Sequence, residues 1–130
     1  MSIETALIVE DQGITALNLK CILKMHGYTN SIVVGKGRKA IDFLENETPS
    51  LALLDIKLTD EISGIDVAKK LQEKCIPFIF ISAFSNPDNL IHAKELNPLG
   101  IIKKPFNEEI LKNMLNNFIP ASNNPNVLLR

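Results

Sequence analysis

Apolar residues along the chain follow two alternating rhythms. Short unbroken runs of strand-forming side chains alternate, five times over, with longer stretches in which apolar positions recur at helical spacing. The first run, Ala6 to Val9, stops at Glu10 and Asp11. A helix is predicted from about Ile14 to His26, with Ala16, Leu19, Ile22 and Leu23 on one face and Gly27 at its end. Ser31 to Val34 reads as a second strand. Gly35 and Gly37 then open a second helix whose buried face is Ala40, Ile41, Phe43 and Leu44, ended by Pro49. Leu51 to Leu54 is continuously apolar, as expected for a strand covered on both faces, and runs straight into Asp55.

After a polar, acidic loop from Ile56 to Ser63, a third helix carries Ile65, Val67, Ala68 and Leu71. Pro77 to Ile81 is the most hydrophobic strand and ends at Ser82. Asn86-Pro87 predicts a helix start, an N-cap followed by Pro at the first helical position, and Asn97-Pro98 stops that helix after about Leu96. Gly100 to Lys103 predicts a fifth strand leading to Lys104-Pro105. Asn107 caps a last helix through Phe118, with Ile110, Leu111, Met114, Leu115 and Phe118 on one face. Parallel strands need crossover connections, and the crossing helices must cover the sheet, so five such units predict a doubly wound α/β domain. Residues 120–130, rich in Asn, Pro and Ser, read as a flexible tail or the start of a linker.

Composition narrows the function. The 130 residues carry 14 Lys and Arg against 15 Asp and Glu, a net charge of −1, with 45% hydrophobic residues. That is enough chain for a single self-sufficient core. It lacks the basic excess of a direct nucleic-acid binder. The longest apolar run, Ile76 to Ile81, is broken by Pro77 and falls far short of the roughly 18–20 residues that cross a bilayer. Met1 to Thr5 has neither a basic segment nor an apolar one of the secretory kind, so a cytoplasmic address with no membrane contact is expected. Cys21 and Cys75 stand far apart without a metal or redox motif and are expected to be reduced, packed thiols.

In an open parallel sheet, ligands bind beyond the carboxyl ends of the strands, where strand order reverses. The first strand is followed by Glu10 and Asp11, the third by Asp55, the fourth by Ser82 and the fifth by Lys104. Each alone fits an ordinary turn, cap or surface residue. Together they place three carboxylates, a hydroxyl and an ammonium on one rim. Crowded carboxylates call for a hard divalent cation, and Mg²⁺ suits an all-oxygen set that has no His or Cys. With the cation screening two anions from each other, Asp55 can attack a phosphoryl group to form an aspartyl phosphate. Lys104 then supplies a compact positive charge and Ser82 a hydrogen bond to a phosphoryl oxygen.

Five segments carry a resemblance: Leu-Ile-Val-Glu-Asp at 7–11, Leu-Leu-Asp-Ile-Lys-Leu at 53–58, Ser-Gly-Ile-Asp at 63–66, Phe-Ile-Ser-Ala at 80–83 and Lys-Lys-Pro-Phe at 103–106. In this order and spacing the chain resembles the receiver domain of two-component response regulators from about residue 4 to 119, which implies a receiver domain over 1–119. The resemblance implies a flavodoxin-like sheet of order 2-1-3-4-5 with five helices, and phosphate taken from a histidine kinase or histidine phosphotransfer protein. It places the phosphoacceptor at Asp55, Mg²⁺ at Glu10, Asp11, Asp55 and the Lys57 main-chain carbonyl, the switch hydroxyl at Ser82 and the phosphoryl-pairing lysine at Lys104. A cis Lys104-Pro105 bond is also implied. Such a domain is a phosphoacceptor that assists its own phosphorylation and dephosphorylation rather than an enzyme with a separate substrate.

The sequence departs from the family in places. Ile101 stands where an aromatic residue often turns inward on activation, so either the signal is read from Ser82 and the loop to the fourth helix alone or the switch is weaker. Thr59 replaces a common Pro, followed by Asp60 and Glu61, which read as solvated charges, with tuning of metal or kinase contact as the alternative. Lys57 and Phe84 flank the expected phosphoryl site, and bulky Phe84 is expected to slow water attack. The expected output is a protein target on the face of the fourth helix, fifth strand and fifth helix, with Ile91, His92, Glu95, Ile101, Asn113 and Asn116 as candidates. The chain reads either as a stand-alone receiver or as one excised from a longer regulator or hybrid kinase. Three other readings stay open: a degenerate receiver acting as a constitutive protein-binding module, a small phosphohydrolase, and a flavin-binding domain. The phosphohydrolase lacks its second Asp, because Lys57 stands there, and the flavin domain lacks a phosphate loop after the first strand.

Overall fold

Parallel strands that are apolar on both sides need a layer of helix on each face, and the computed structural model, which describes residues 4–83 and 87–118, has that arrangement. The elements run β1 (Thr5–Val9), α1 (Gly13–Met25), β2 (Asn30–Val34), α2 (Gly37–Asn46), β3 (Leu51–Leu54), α3 (Gly64–Glu73), β4 (Phe78–Ser82), α4 (Pro87–Glu95), β5 (Gly100–Lys103) and α5 (Glu108–Asn117). All strand pairs are parallel, in the order β2-β1-β3-β4-β5 that the resemblance implied. Asn86 as a helix cap, Phe84 and the expected tail lie outside the described residues.

Alternation along each strand divides the core in two. Leu7, Val9, Ala52, Leu54, Phe78 and Phe80 face α2, α3 and α4, which contribute Ala40, Leu44, Val67, Ala68, Leu71 and Ala93. Ala6, Ile8, Leu51, Leu53, Ile79 and Ile81 face α1 and α5, which contribute Ala16, Leu19, Ile22, Leu23, Leu111 and Leu115. The helices are held by local chemistry at their ends. Ser63 and Asp66 form a reciprocal capping box on α3, the Asn107 side chain accepts the Glu109 N–H at α5, and Gly27 closes α1 at φ +93°.

Three expectations change. Cys21 and Cys75 are exposed. Cys21 lies on the outer face of α1 with Ile14, Leu17 and Met25, and Cys75 occupies a left-handed position, φ +59°, just past α3. Ile110 is nearly half exposed, because the buried stripe of α5 is set by Leu111 and Leu115 and their neighbours Met114 and Phe118. Replacing the fully buried Leu53 of the central strand, Leu53→Ala, is expected to cost about 2–5 kcal/mol, read as a lower urea midpoint at unchanged slope.

Candidate functional site

The polar rim is assembled by strand register. Val9 pairs with Leu54 and Ser82 with Lys103, so β1 and β3 end level, as do β4 and β5. The ladder continues one step further: Asp55 N–H donates to Val9 O, Glu10 N–H to Val34 O and Lys104 N–H to Ser82 O, at 2.9–3.0 Å. Those bonds fix the backbones of the residues that follow the strands. Since the chain winds to opposite sides from β1 and β3, a crevice opens between their carboxyl ends.

Lys104 Nζ lies in that crevice, 2.5 Å from Glu10 Oε1 and 2.9 Å from Asp55 Oδ2. The other Asp55 oxygen accepts the Lys57 N–H at 3.2 Å, and Glu10 Oε2 accepts the Gln12 N–H at 3.1 Å. Glu10, Asp55 and Ser82 are buried, whereas Asp11 is exposed. A cavity of about 510 Å³ is lined by Asp11, Asp55, Lys57, Ser82 and Lys104, with Gln12, Thr59 and Asn89 beside them. The cis Lys104-Pro105 bond is present, as the resemblance implied.

Electrostatics favour a cation here. Burial pushes the Glu10 carboxyl above its ordinary range, against the opposing pull of Lys104 and the Gln12 N–H. Burial alone would lower Lys104, but its bonds to Glu10 and Asp55 outweigh this and hold the ammonium above its ordinary value. Three carboxylates against one ammonium leave 3 − 1 = 2 negative charges. Glu10, Asp11 and Asp55 offer oxygens that all lie within 4.8 Å of one another, a donor set that fits a hard divalent ion such as Mg²⁺. The start of α1, beside Gln12, acts in the opposite sense, since the positive end of a helix dipole suits an anion such as a phosphoryl group.

The loop after Asp55 corrects one expectation. Asp60 is not merely a solvated charge: Oδ1 accepts the Gly37 N–H at 3.0 Å and Oδ2 the Arg38 N–H at 2.9 Å, capping α2 from 23 residues away. Glu61 is exposed, as expected. Gly37 and Gly64 allow the tight packing here, since a Cβ on the first would strike Ile62 and on the second the Asp55 carbonyl. Gln12, Asn89 and Asp60 were not legible as site residues, because nothing local separates them from solvated loop and helix positions.

The comparisons match this architecture. Residues 6–116 match the response regulator receiver domain family, and the chain belongs to it. It is 29% identical over 123 residues to sporulation initiation phosphotransferase F of Bacillus subtilis, covering 93% of this chain and 98% of that protein. It is 31% identical over 101 residues to the transcriptional regulatory protein PdtaR of Mycobacterium tuberculosis, covering 77% of this chain but 49% of PdtaR, so the match spans about half of that relative. The receiver domain of a signal transduction histidine kinase from Syntrophus aciditrophicus superposes with a TM-score of 0.76 at 29% identity, covering 88% of each chain. The chain is thus a receiver domain of the two-component type, and none of its described helices is long and apolar enough to cross a membrane.

The Arg38 N–H, and after it the Gly37 N–H, hold the Asp60 carboxyl below its ordinary value of 3.8. A depressed folded-state pKa means stability that is complete above the ordinary value and lost as pH falls through the native one. Unfolding midpoints measured from pH 5 downward are therefore expected to fall less steeply in Asp60→Asn than in the wild type.

Proposed function

We propose that the chain accepts a phosphoryl group on Asp55 from a histidine kinase or histidine phosphotransfer protein, in the cytoplasm, and signals by a conformational switch. The observation that carries this reading is the Asp55 carboxylate at the end of the central strand, within hydrogen-bond reach of Lys104 and in oxygen-to-oxygen proximity to Glu10 and Asp11. Glu10, Asp11, Asp55 and the Lys57 carbonyl would hold Mg²⁺. When bound, the ion would neutralise the excess charge and draw electron density from the phosphoryl group.

The remaining chemistry belongs to the side chains. An Asp55 oxygen attacks phosphorus, the O–P bond forms as the donor's N–P bond breaks, and the electron pair leaves with the donor imidazole. Lys104 follows the charge from the carboxylate to the phosphoryl oxygens. Ser82, buried beside the cavity, donates its hydroxyl to one of them and so moves toward the phosphoryl group. The Ile101 side chain is half-buried against the core and has no ring to swing, so the signal passes through Ser82 and the start of α4. Ile91, His92, Glu95, Asn113 and Asn116 are exposed along α4 and α5, where a downstream protein target would dock.

Donor approach has its own surface in this reading. Ile14 is 89% exposed, and Leu17, Cys21 and Met25 continue the stripe down α1 from the rim. Ile14→Arg is expected to slow transfer from a phosphorylated histidine kinase domain while leaving acetyl phosphate labelling unchanged. Equal loss with both donors would remove the docking role.

The primary test is incubation with acetyl phosphate or beryllofluoride, with and without Mg²⁺, followed by intact mass and amide spectra. A Mg²⁺-dependent adduct with shifts near Ser82 is expected in the wild type and absent in Asp55→Asn. No adduct and no shifts in the wild type would leave the constitutive protein-binding module.

A further inference from the structure

The α2 helix begins without any cap of its own. Lys36 at its N-cap makes no side-chain cap bond, the first turn contains no acid, and Lys36, Arg38 and Lys39 put three cations at the positive end of the dipole. The missing acceptor arrives from the loop after the phosphoacceptor, where Asp60 takes the N–H groups of both Gly37 and Arg38. The pairing works in both directions. Among the described residues, no backbone-to-backbone hydrogen bond joins residues 57–62 to the rest of the fold. The loop is pinched at its base by Gly64 N–H donating to Ile56 O at 2.7 Å, and Leu58 is buried at its middle. Beyond Leu58, its polar anchor is Asp60.

Lys57, Leu58 and Thr59 form one wall of the cavity that contains Asp55, and Thr59 is joined directly to Asp60. Whatever fixes Asp60 therefore limits how far that wall can move. We propose that Asp60 is a positioning residue: by capping α2 it holds the 57–59 segment, with the Lys57 carbonyl, in place against the metal and phosphoryl pocket. This role rests on the reading of that pocket given above. It also makes the start of α2, which follows the carboxyl end of β2, a structural support of the site.

The test uses the full chain as wild type, Asp60→Ala and Asp60→Asn, with Leu115→Val in α5 as a destabilised control. Amide hydrogen exchange without metal reads the loop directly, and Mg²⁺ titration is followed by amide shifts of Glu10 and Asp11, since the chain has no Trp to report. Asp60→Ala is expected to speed exchange at Gly37, Arg38 and residues 57–59 and to raise the Mg²⁺ midpoint by about tenfold. Asp60→Asn, which keeps a carbonyl acceptor for one N–H, is expected to fall between Ala and wild type, and Leu115→Val to leave the Mg²⁺ midpoint in place. If Asp60→Ala does not fold, Asp60→Asn carries the same comparison. A normal wild-type response with variant midpoints within about twofold of it, and unchanged exchange at 57–59, overturns the role of Asp60 alone. A wild type with no Mg²⁺ response overturns the pocket reading and this role together.

Discussion

The ammonium of Lys104, held between Glu10 and Asp55, is the interaction on which the site depends. It joins the ends of β5, β1 and β3 at the carboxyl rim of the sheet, and removing it would leave two buried carboxylates facing each other with only the Gln12 and Lys57 N–H groups to meet their charge. Breaking such a buried pair by deleting one partner typically costs about 3–5 kcal/mol. Yet one positive charge does not balance three negative ones. The rim therefore combines a built-in cation with an excess of negative charge, a donor set that fits a second, divalent one.

The sheet makes this possible by being rigid on both faces. β1, β3, β4 and β5 each contribute side chains alternately to the two half-cores, so none of these can slide without exposing apolar surface on one face or the other. Fixed strands carry the polar residues at their ends into fixed positions. The layers are not equally firm: α2 and α3 are tied at both ends, by Asp60 at the start of α2 and by Lys74 Nζ donating to the Leu44 and Glu47 carbonyls at its end. Among its described residues, α4 commits only Ala93 fully to the core. A charge change at the rim would meet least resistance on that side.

Much of this was legible from the chain. Continuous runs such as Leu51 to Leu54 announce buried parallel strands, and the periodic Leu19, Ile22 and Leu23 announce a helix face, because both patterns are set by neighbours along the sequence. The five polar residues after the strands were visible because a doubly wound topology sends every such residue to the same rim. Ile110 departs from the expected stripe for a related reason: one residue's step around a helix is about 100°, enough to carry a side chain from the edge of a stripe into solvent. Cys21 and Cys75 depart from the burial that their small apolar character usually brings, because their positions on α1 and past α3 face outward.

The order of strands and helices, the acidic, hydroxyl and basic residues at the strand ends, and the family they belong to can all be read along the chain. Those follow from short-range periodicity and from residues whose neighbours in sequence define their context. That Asp60 caps a helix 23 residues upstream, that Gln12 holds a Glu10 oxygen, and that Asn89 borders the cavity emerge from the folded chain alone. A backbone N–H does not advertise its partner in the sequence. Which carboxylate fills it depends on where the loops come to rest once both half-cores have closed.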